Sequence, residues 1–159
     1  MKNTKTVLIF LFVFLAACFL AVQFEDSYHE LIRYLYVTLS SGTISFHHPG
    51  KQFSFPDVFF VGFFGVFATV TYYLLSKLKA EAIVIHLFVS LILFAAFTAW
   101  GCKWDGFMKV MVCTACNDGK RALYYNDVNY NKQFVTGLIA ALLPLLIVEY
   151  KRRRKKTTL

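Results

Sequence analysis

The chain has 159 residues, the length of one ordinary domain, but 58% of it is apolar, 18% is aromatic and only 16% is charged. Soluble domains carry roughly 25% charged residues, so the composition excludes an ordinary water-soluble fold and points to lipid as the solvent. The net charge of +8 raises the question of nucleic acid, which the placement of the charges answers below.

Four segments with few or no charges follow one another along the chain. Val7 to Phe24 has Gln23 as its strongly polar member, and Val58 to Leu75 is framed by Asp57 and Lys77. Ala82 to Trp100 holds His86, and Phe134 to Val148, the shortest of the four, is extended by Glu149 and Tyr150. A bilayer core of about 30 Å takes about 17 to 25 helical residues. The first three segments are long enough outright, and the fourth is so with its flanks. Lipid leaves no partner for an unpaired backbone amide, so each segment is predicted to be a helix. The expected fold class is therefore an all-α membrane protein. It is a four-transmembrane-helix bundle forming a single integral domain over residues 1–159, with helices at about 7–24, 58–75, 82–100 and 134–150. Outer loops are expected at 25–57 and 101–133.

The first segment admits two readings. Leu15-Ala16-Ala17-Cys18 resembles the lipobox of bacterial lipoprotein signal peptides, which implies cleavage and a lipid-modified Cys18. A secretory apolar region is about 7 to 15 residues long and gives way to polar sequence, whereas here Phe19-Leu20-Ala21-Val22 continues apolar. Keeping the segment as a helix also gives four spans and returns both termini to one side. A retained helix is expected, with Cys18 a small buried thiol at a helix contact.

Charge then fixes an expected orientation. The short segments 1–6, 76–81 and 151–159 carry ten Lys and Arg, six of them in the run Lys151 to Lys156. The two long loops, although far longer together, carry seven Lys and Arg balanced by seven Asp and Glu. Cytoplasmic loops carry the cationic excess, so both termini are expected in the cytoplasm, with the chain in a bacterial inner membrane. The basic tail reads as a topological anchor that favours anionic headgroups, and no nucleic-acid partner is expected.

The loops carry their own signals. Ser27 and Glu30 fit a capping box, followed by apolar residues at Tyr28, Leu31, Ile32, Leu35, Tyr36 and Leu39, so a separate amphipathic helix is predicted there, lying on the outer surface or against the bundle. Gly42 supplies its stop. A hairpin is predicted from Thr43–His47 and Lys51–Phe55 around His48-Pro49-Gly50, and another around Asn117-Asp118-Gly119. Both loops are expected to fold together as a small β-containing outer cap.

Candidate chemistry rests on cysteine and a few polar groups. Cys102, Cys113 and Cys116 fall in the second loop, on a side that permits disulfides, and a structural bridge from Cys102 to Cys113 or Cys116 is expected. Alternatively Cys113-Thr114-Ala115-Cys116 is a redox pair with Cys102 as a partner thiol. In layout the chain resembles the disulfide-forming quinone reductases of the DsbB and vitamin K epoxide reductase group. That resemblance implies thiol–disulfide exchange, although those families carry two cysteine pairs and the first loop here has none. A metal site from these cysteines with His29, His47 or His48 rests on C-x2-C alone, so no metal and no cofactor is expected. His86 and Glu149 lie within reach of each other near the inner end, beside Tyr72 and Tyr73, and form an expected intramembrane polar pair. Phe55, Phe59, Phe63 and Phe67 make an i, i+4 stripe expected to face lipid or a partner, with Gly62 and Gly65 on other faces. Pro144 is expected to kink the fourth helix.

No catalytic motif stands out. The layout is also similar to that of immunity proteins against pore-forming colicins and of small accessory subunits of membrane complexes. The expected function is a non-enzymatic membrane protein, an accessory subunit or immunity-type protein, that binds a membrane or extracytoplasmic protein through the Phe55, Phe59, Phe63 and Phe67 face of its second helix and its disulfide-tied outer cap, with thiol–disulfide exchange by Cys102, Cys113 and Cys116 as the alternative.

Overall fold

The computed structural model describes residues 2–40, 43–47, 56–112 and 120–157. Its order is helix α1 (Lys2–Leu39), strand β1 (Ile44–Phe46), helix α2 (Val58–Leu75), helix α3 (Ala80–Met111), strand β2 (Arg121–Leu123), a 3-10 turn (Tyr125–Asp127) and helix α4 (Tyr130–Thr157). All four α-helices are long and apolar enough to cross a membrane.

The apolar surface of these helices points outward. In their most apolar stretches only 11% of α1, 17% of α2 and 11% of α3 is buried inside the protein, against 39% of α4. Phe12, Phe19, Phe88 and Leu91 are among the side chains left outside. Soluble proteins rarely expose apolar patches beyond a few hundred Å², so lipid is the medium that fits this surface. Helix α1 packs most extensively on α2 and α3 on α4, while α4 also touches α2. Small residues let these helices approach closely. A Cβ on Gly65 would lie 2.7 Å from Cys18 Sγ, and one on Gly137 would lie 2.5 Å from Thr98 Oγ1.

Helix α1 does not stop at Phe24. Ser27 and Glu30, read as a capping box, lie inside one helix that runs unbroken to Leu39, and the separate amphipathic helix is its continuation. The reason is visible in the buried positions. Ala17, Ala21, Glu25, Tyr28, Ile32 and Tyr36 are buried at intervals of three and four along the chain, one unbroken helical face. Neither proline nor glycine interrupts it. Helix α3 likewise runs on past Trp100 to Met111, because Gly101 and Gly106 serve there as contact points and not as breaks. Gly101 lies against Gln133, and Gly106 lies against Ile44 and Tyr36. Helix α4 carries the basic run onward to Thr157 and passes through Pro144. In the turn before that proline the Ala141 carbonyl accepts a hydrogen bond from Ser90 Oγ at 2.8 Å.

The two strands pair with each other and in parallel, Ile44 opposite Arg121 and Phe46 opposite Leu123. Thus β1 pairs with the second long loop. The second arm of the first predicted hairpin and the Asn117-Asp118-Gly119 turn lie outside the described residues.

These lengths give the bundle two unlike ends. At 1.5 Å per residue α1 is about 57 Å long and α3 about 48 Å, well over the roughly 30 Å of a bilayer core. At one end Phe10 packs on Tyr72 and Tyr73, and Lys77 meets Glu149 at 3.5 Å, so the first part of α1, the last part of α4 and the α2–α3 turn lie together. At the other end Glu25, Asp57 and Asn131 are joined by hydrogen bonds at one level. Beyond that level α1 and α3 continue, by about 21 Å and 15 Å. With β1 and β2 they form a head whose core is Tyr28, Ile32, Tyr36, Ile44, Cys102, Leu123 and Val128.

Replacing Gly137 by Leu is expected to destabilise the protein by about 1 to 3 kcal/mol through overpacking, read as a lower unfolding temperature in detergent. Gly62 has no atom within 4 Å of a built Cβ, so Gly62→Ala is expected to leave that temperature unchanged or raise it slightly, Ala being the better helix former.

Candidate functional site

A polar layer sits where α2 and α4 begin and the head rises. Asp57 precedes α2 in extended conformation, and its Oδ1 accepts from Phe59 N–H at 2.8 Å, a side-chain N-cap. Asn131, in the first turn of α4, donates from Nδ2 to Asp57 Oδ2 at 2.6 Å. Glu25, facing inward on α1, accepts the backbone N–H of Asp57 at both carboxylate oxygens, at 2.9 and 3.1 Å. Three helices are thus tied through one aspartate. Burial works against ionisation of Asp57, but the Asn131 amide and the Phe59 and Phe60 N–H groups outweigh it and hold the carboxyl below its ordinary value.

Aromatic rings stand on this layer. His29 Nδ1 shares a hydrogen bond with the Tyr125 hydroxyl, and the His29 ring centre lies 4.2 Å from that of Tyr130. Burial pushes the Tyr125 hydroxyl up from its ordinary value. Together with Glu25, Asp57 and Asn131 these rings line a cavity of about 430 Å³. A second network lies further into the head. Tyr36 donates to Asp105 Oδ2 at 2.7 Å and accepts from Gln133 Nε2 at 3.2 Å, and Asp105 also pairs with Lys109 at 3.5 Å.

The residues singled out in the sequence mostly lie elsewhere. Cys102 is a free thiol, wholly buried on α3, and not a loop cysteine. The expected bridge from it is not formed, because α3 continues through this position and turns the side chain into the head core. Cys113, Cys116 and His48 lie outside the described residues, and among the described ones no cluster suited to a metal ion forms. Cys18 sits at the α1–α2 contact as expected but is half-buried and not buried, its Sγ directed at the Val61 carbonyl 3.7 Å away. His47 lies against Tyr124, ring centres 4.9 Å apart.

Of the phenylalanine stripe, Phe59 and Phe63 face outward, Phe67 packs partly against the core, and Phe55 lies outside the described residues. Gly62, expected on another face, is open to the surroundings, whereas Gly65 packs on α1. The expected His86–Glu149 contact is not made. Glu149 is held by Arg152 at 2.8 Å, Arg153 at 3.0 Å and Lys77 at 3.5 Å, cations that satisfy it nearer its own level.

Sequence reasoning missed Glu25, His29 as a cavity wall, Tyr125, Tyr130 and Asn131. A signal existed: Glu25 directly follows the first apolar run, Asp57 directly precedes the second, and Asn131 stands just before the fourth. Polar residues at the same end of three spans share a level, where they can meet.

Fold and site define a class by build: an integral membrane protein of four helices, with a polar layer and a head at the end away from the termini. No protein-family model matches the chain, and no curated protein and no solved structure matches it either.

Asp57→Ala is expected to lower stability by about 1 kcal/mol, the usual cost of losing a cap. The contribution of the carboxylate is fully present above the ordinary Asp value of roughly 4 and is lost as pH falls through the depressed folded value. The stability gap between the wild type and Asp57→Asn is therefore expected to close on acidification, as followed by unfolding in detergent across pH.

Proposed function

We propose that the chain is a non-enzymatic polytopic membrane protein that binds a protein partner through its head. The observation that carries the reading is an apolar stripe on the part of α3 that outruns the bundle. Trp104, Phe107, Met108 and Met111 recur at helical spacing and are between 44% and 68% exposed. This stripe starts just past the level of Gly101, where α4 is in its first turns and meets α3 through Lys132 and Asp105 at 3.8 Å. Aromatic residues and Met are the types enriched at protein interfaces, and an exposed apolar patch outside lipid marks an interaction site. Phe59 and Phe63 lie within the apolar zone and are assigned to lipid.

The ten cations of the termini and the α2–α3 turn favour placing that end in the cytoplasm and the head outside, in a bacterial inner membrane. Such an assignment makes the β1–β2 pair and the head core an extracytoplasmic cap. Thiol–disulfide exchange is the weaker reading. It needs an accessible partner thiol for Cys113 and Cys116, and Cys102 is buried.

A photo-reactive residue at Trp104 or Met111, activated in membranes of the native host, is expected to yield one discrete cross-linked protein, while the same residue at Phe63 yields lipid adducts. Lipid adducts alone at Trp104 and Met111 would overturn the proposal.

A further inference from the structure

The cavity at the foot of the head has a chemistry that the partner-binding reading does not use. Its polar wall is rich in acceptors. Glu25 is 6% exposed, and its two oxygens share a single N–H donor, that of Asp57. A carboxylate offers about four lone-pair sites, so most of its capacity is unfilled. Asn131 Oδ1 is buried with no hydrogen-bond partner. Tyr130, 7% exposed, lines the same cavity, and its hydroxyl also has none. Buried polar groups are hydrogen-bonded in the great majority of cases, so two orphans in one cavity wall mark a place for a ligand.

Charge agrees with this inventory. Among the described residues neither Glu25 nor Asp57 forms a salt bridge. Arg33 lies 5.5 Å from the centre of the Tyr125 ring and is not part of the lining. The rest of the wall is made of the stretch Asn126 to Asn129, which brings a third carboxylate in Asp127, and of three aromatic rings, His29 and Tyr130 with ring centres 4.2 Å apart and Tyr125 5.0 Å from Tyr130. Carboxylates beside aromatic faces suit an ammonium group, which donates several hydrogen bonds and is attracted by ring faces. A bare metal ion fits poorly, since no three ligating groups converge there among the described residues. A volume of about 430 Å³ falls within the usual range of small-molecule sites.

We propose that this cavity binds the ammonium group of a small organic cation, with Glu25 and Asp57 supplying the charge and Tyr130 and Asn131 Oδ1 completing its hydrogen bonds. The site lies at the level where the apolar parts of the helices end, so two sources share this chemistry: a water-soluble amine, and the headgroup of an amine-bearing phospholipid. The proposal is independent of the exposed stripe on α3.

The test titrates the full-length protein in a maltoside micelle with ethanolamine, choline and, at equal ionic strength, sodium chloride, followed by calorimetry. Saturable heats are expected for the organic cations and not for sodium. Glu25→Gln, which keeps the size and an acceptor for the Asp57 N–H, is expected to weaken binding about tenfold or more. Glu81→Gln, at the opposite end of the bundle, should leave it unchanged, and circular dichroism checks the fold of both variants. A second arm repeats the titration in nanodiscs with and without phosphatidylethanolamine. Suppression by that lipid assigns the site to its headgroup, and an unchanged titration assigns it to a soluble amine. Absence of saturation at millimolar probe, an equal response to sodium, or unaltered binding in a folded Glu25→Gln variant would each overturn the proposal.

Discussion

A helix in hydrocarbon satisfies its own backbone, and once that is done the side chains decide only which face meets lipid and which meets another helix. In this protein the decision falls on a narrow inward stripe. Along α1 it is made of Ala17, Ala21, Glu25, Tyr28, Ile32 and Tyr36, small at one end and large and polar at the other. Small residues bring α1 against α2 through Cys18 and Gly65. The larger ones carry the same face out of the bundle and become the spine of the head. One periodicity therefore builds both halves of the molecule.

The change of character occurs at the layer of Glu25, Asp57 and Asn131. Three apolar helices meet there through bonds to a single aspartate, which also caps α2. A carboxylate with these partners is costly in lipid and inexpensive at its edge, so the layer suits the edge of the lipid. It fixes the start of α2 and α4 relative to α1, and so fixes how far α1 and α3 project. Above it His29, Tyr125 and Tyr130 close a cavity, and the Tyr36–Asp105–Gln133 network with the β1–β2 pair steadies the head. Below it the outward surface is apolar down to the cationic end, where Glu149 is held by Lys77, Arg152 and Arg153.

Much of the bundle was legible because lipid simplifies the code: an apolar run of sufficient length is a helix, and all four runs are helices here. The ends were less legible. Glu25, Asp26 and Ser27 read as the boundary between a span and a capped surface helix, yet the buried face runs through them. The third span was expected to end at Trp100, yet α3 runs on through Gly101, where Gln133 needs room. Cys102 read as a loop thiol for the same reason. Local signals mark where a helix is able to end, while tertiary contacts decide whether it does. The pairing of β1 with β2 was hidden more deeply, since it joins segments separated by two whole helices, Ile44 in register with Arg121. The cavity residues were visible one by one as polar groups at span ends, but only the fold brings the three spans to one level.

The most direct measurement is a spin-label scan along the outward face of α1 in bilayers, read by the relative accessibility of each label to oxygen and to a water-soluble nickel chelate. Leu8, Phe12, Leu15 and Phe19 are all more than half exposed, and Glu30 and Tyr34 are exposed farther along the same helix. Labels at the first four are expected to favour oxygen, labels at Glu30 and Tyr34 the chelate, with the crossover near Glu25. Chelate access at Phe12 or Leu15, or oxygen preference persisting through Tyr34, would contradict the account.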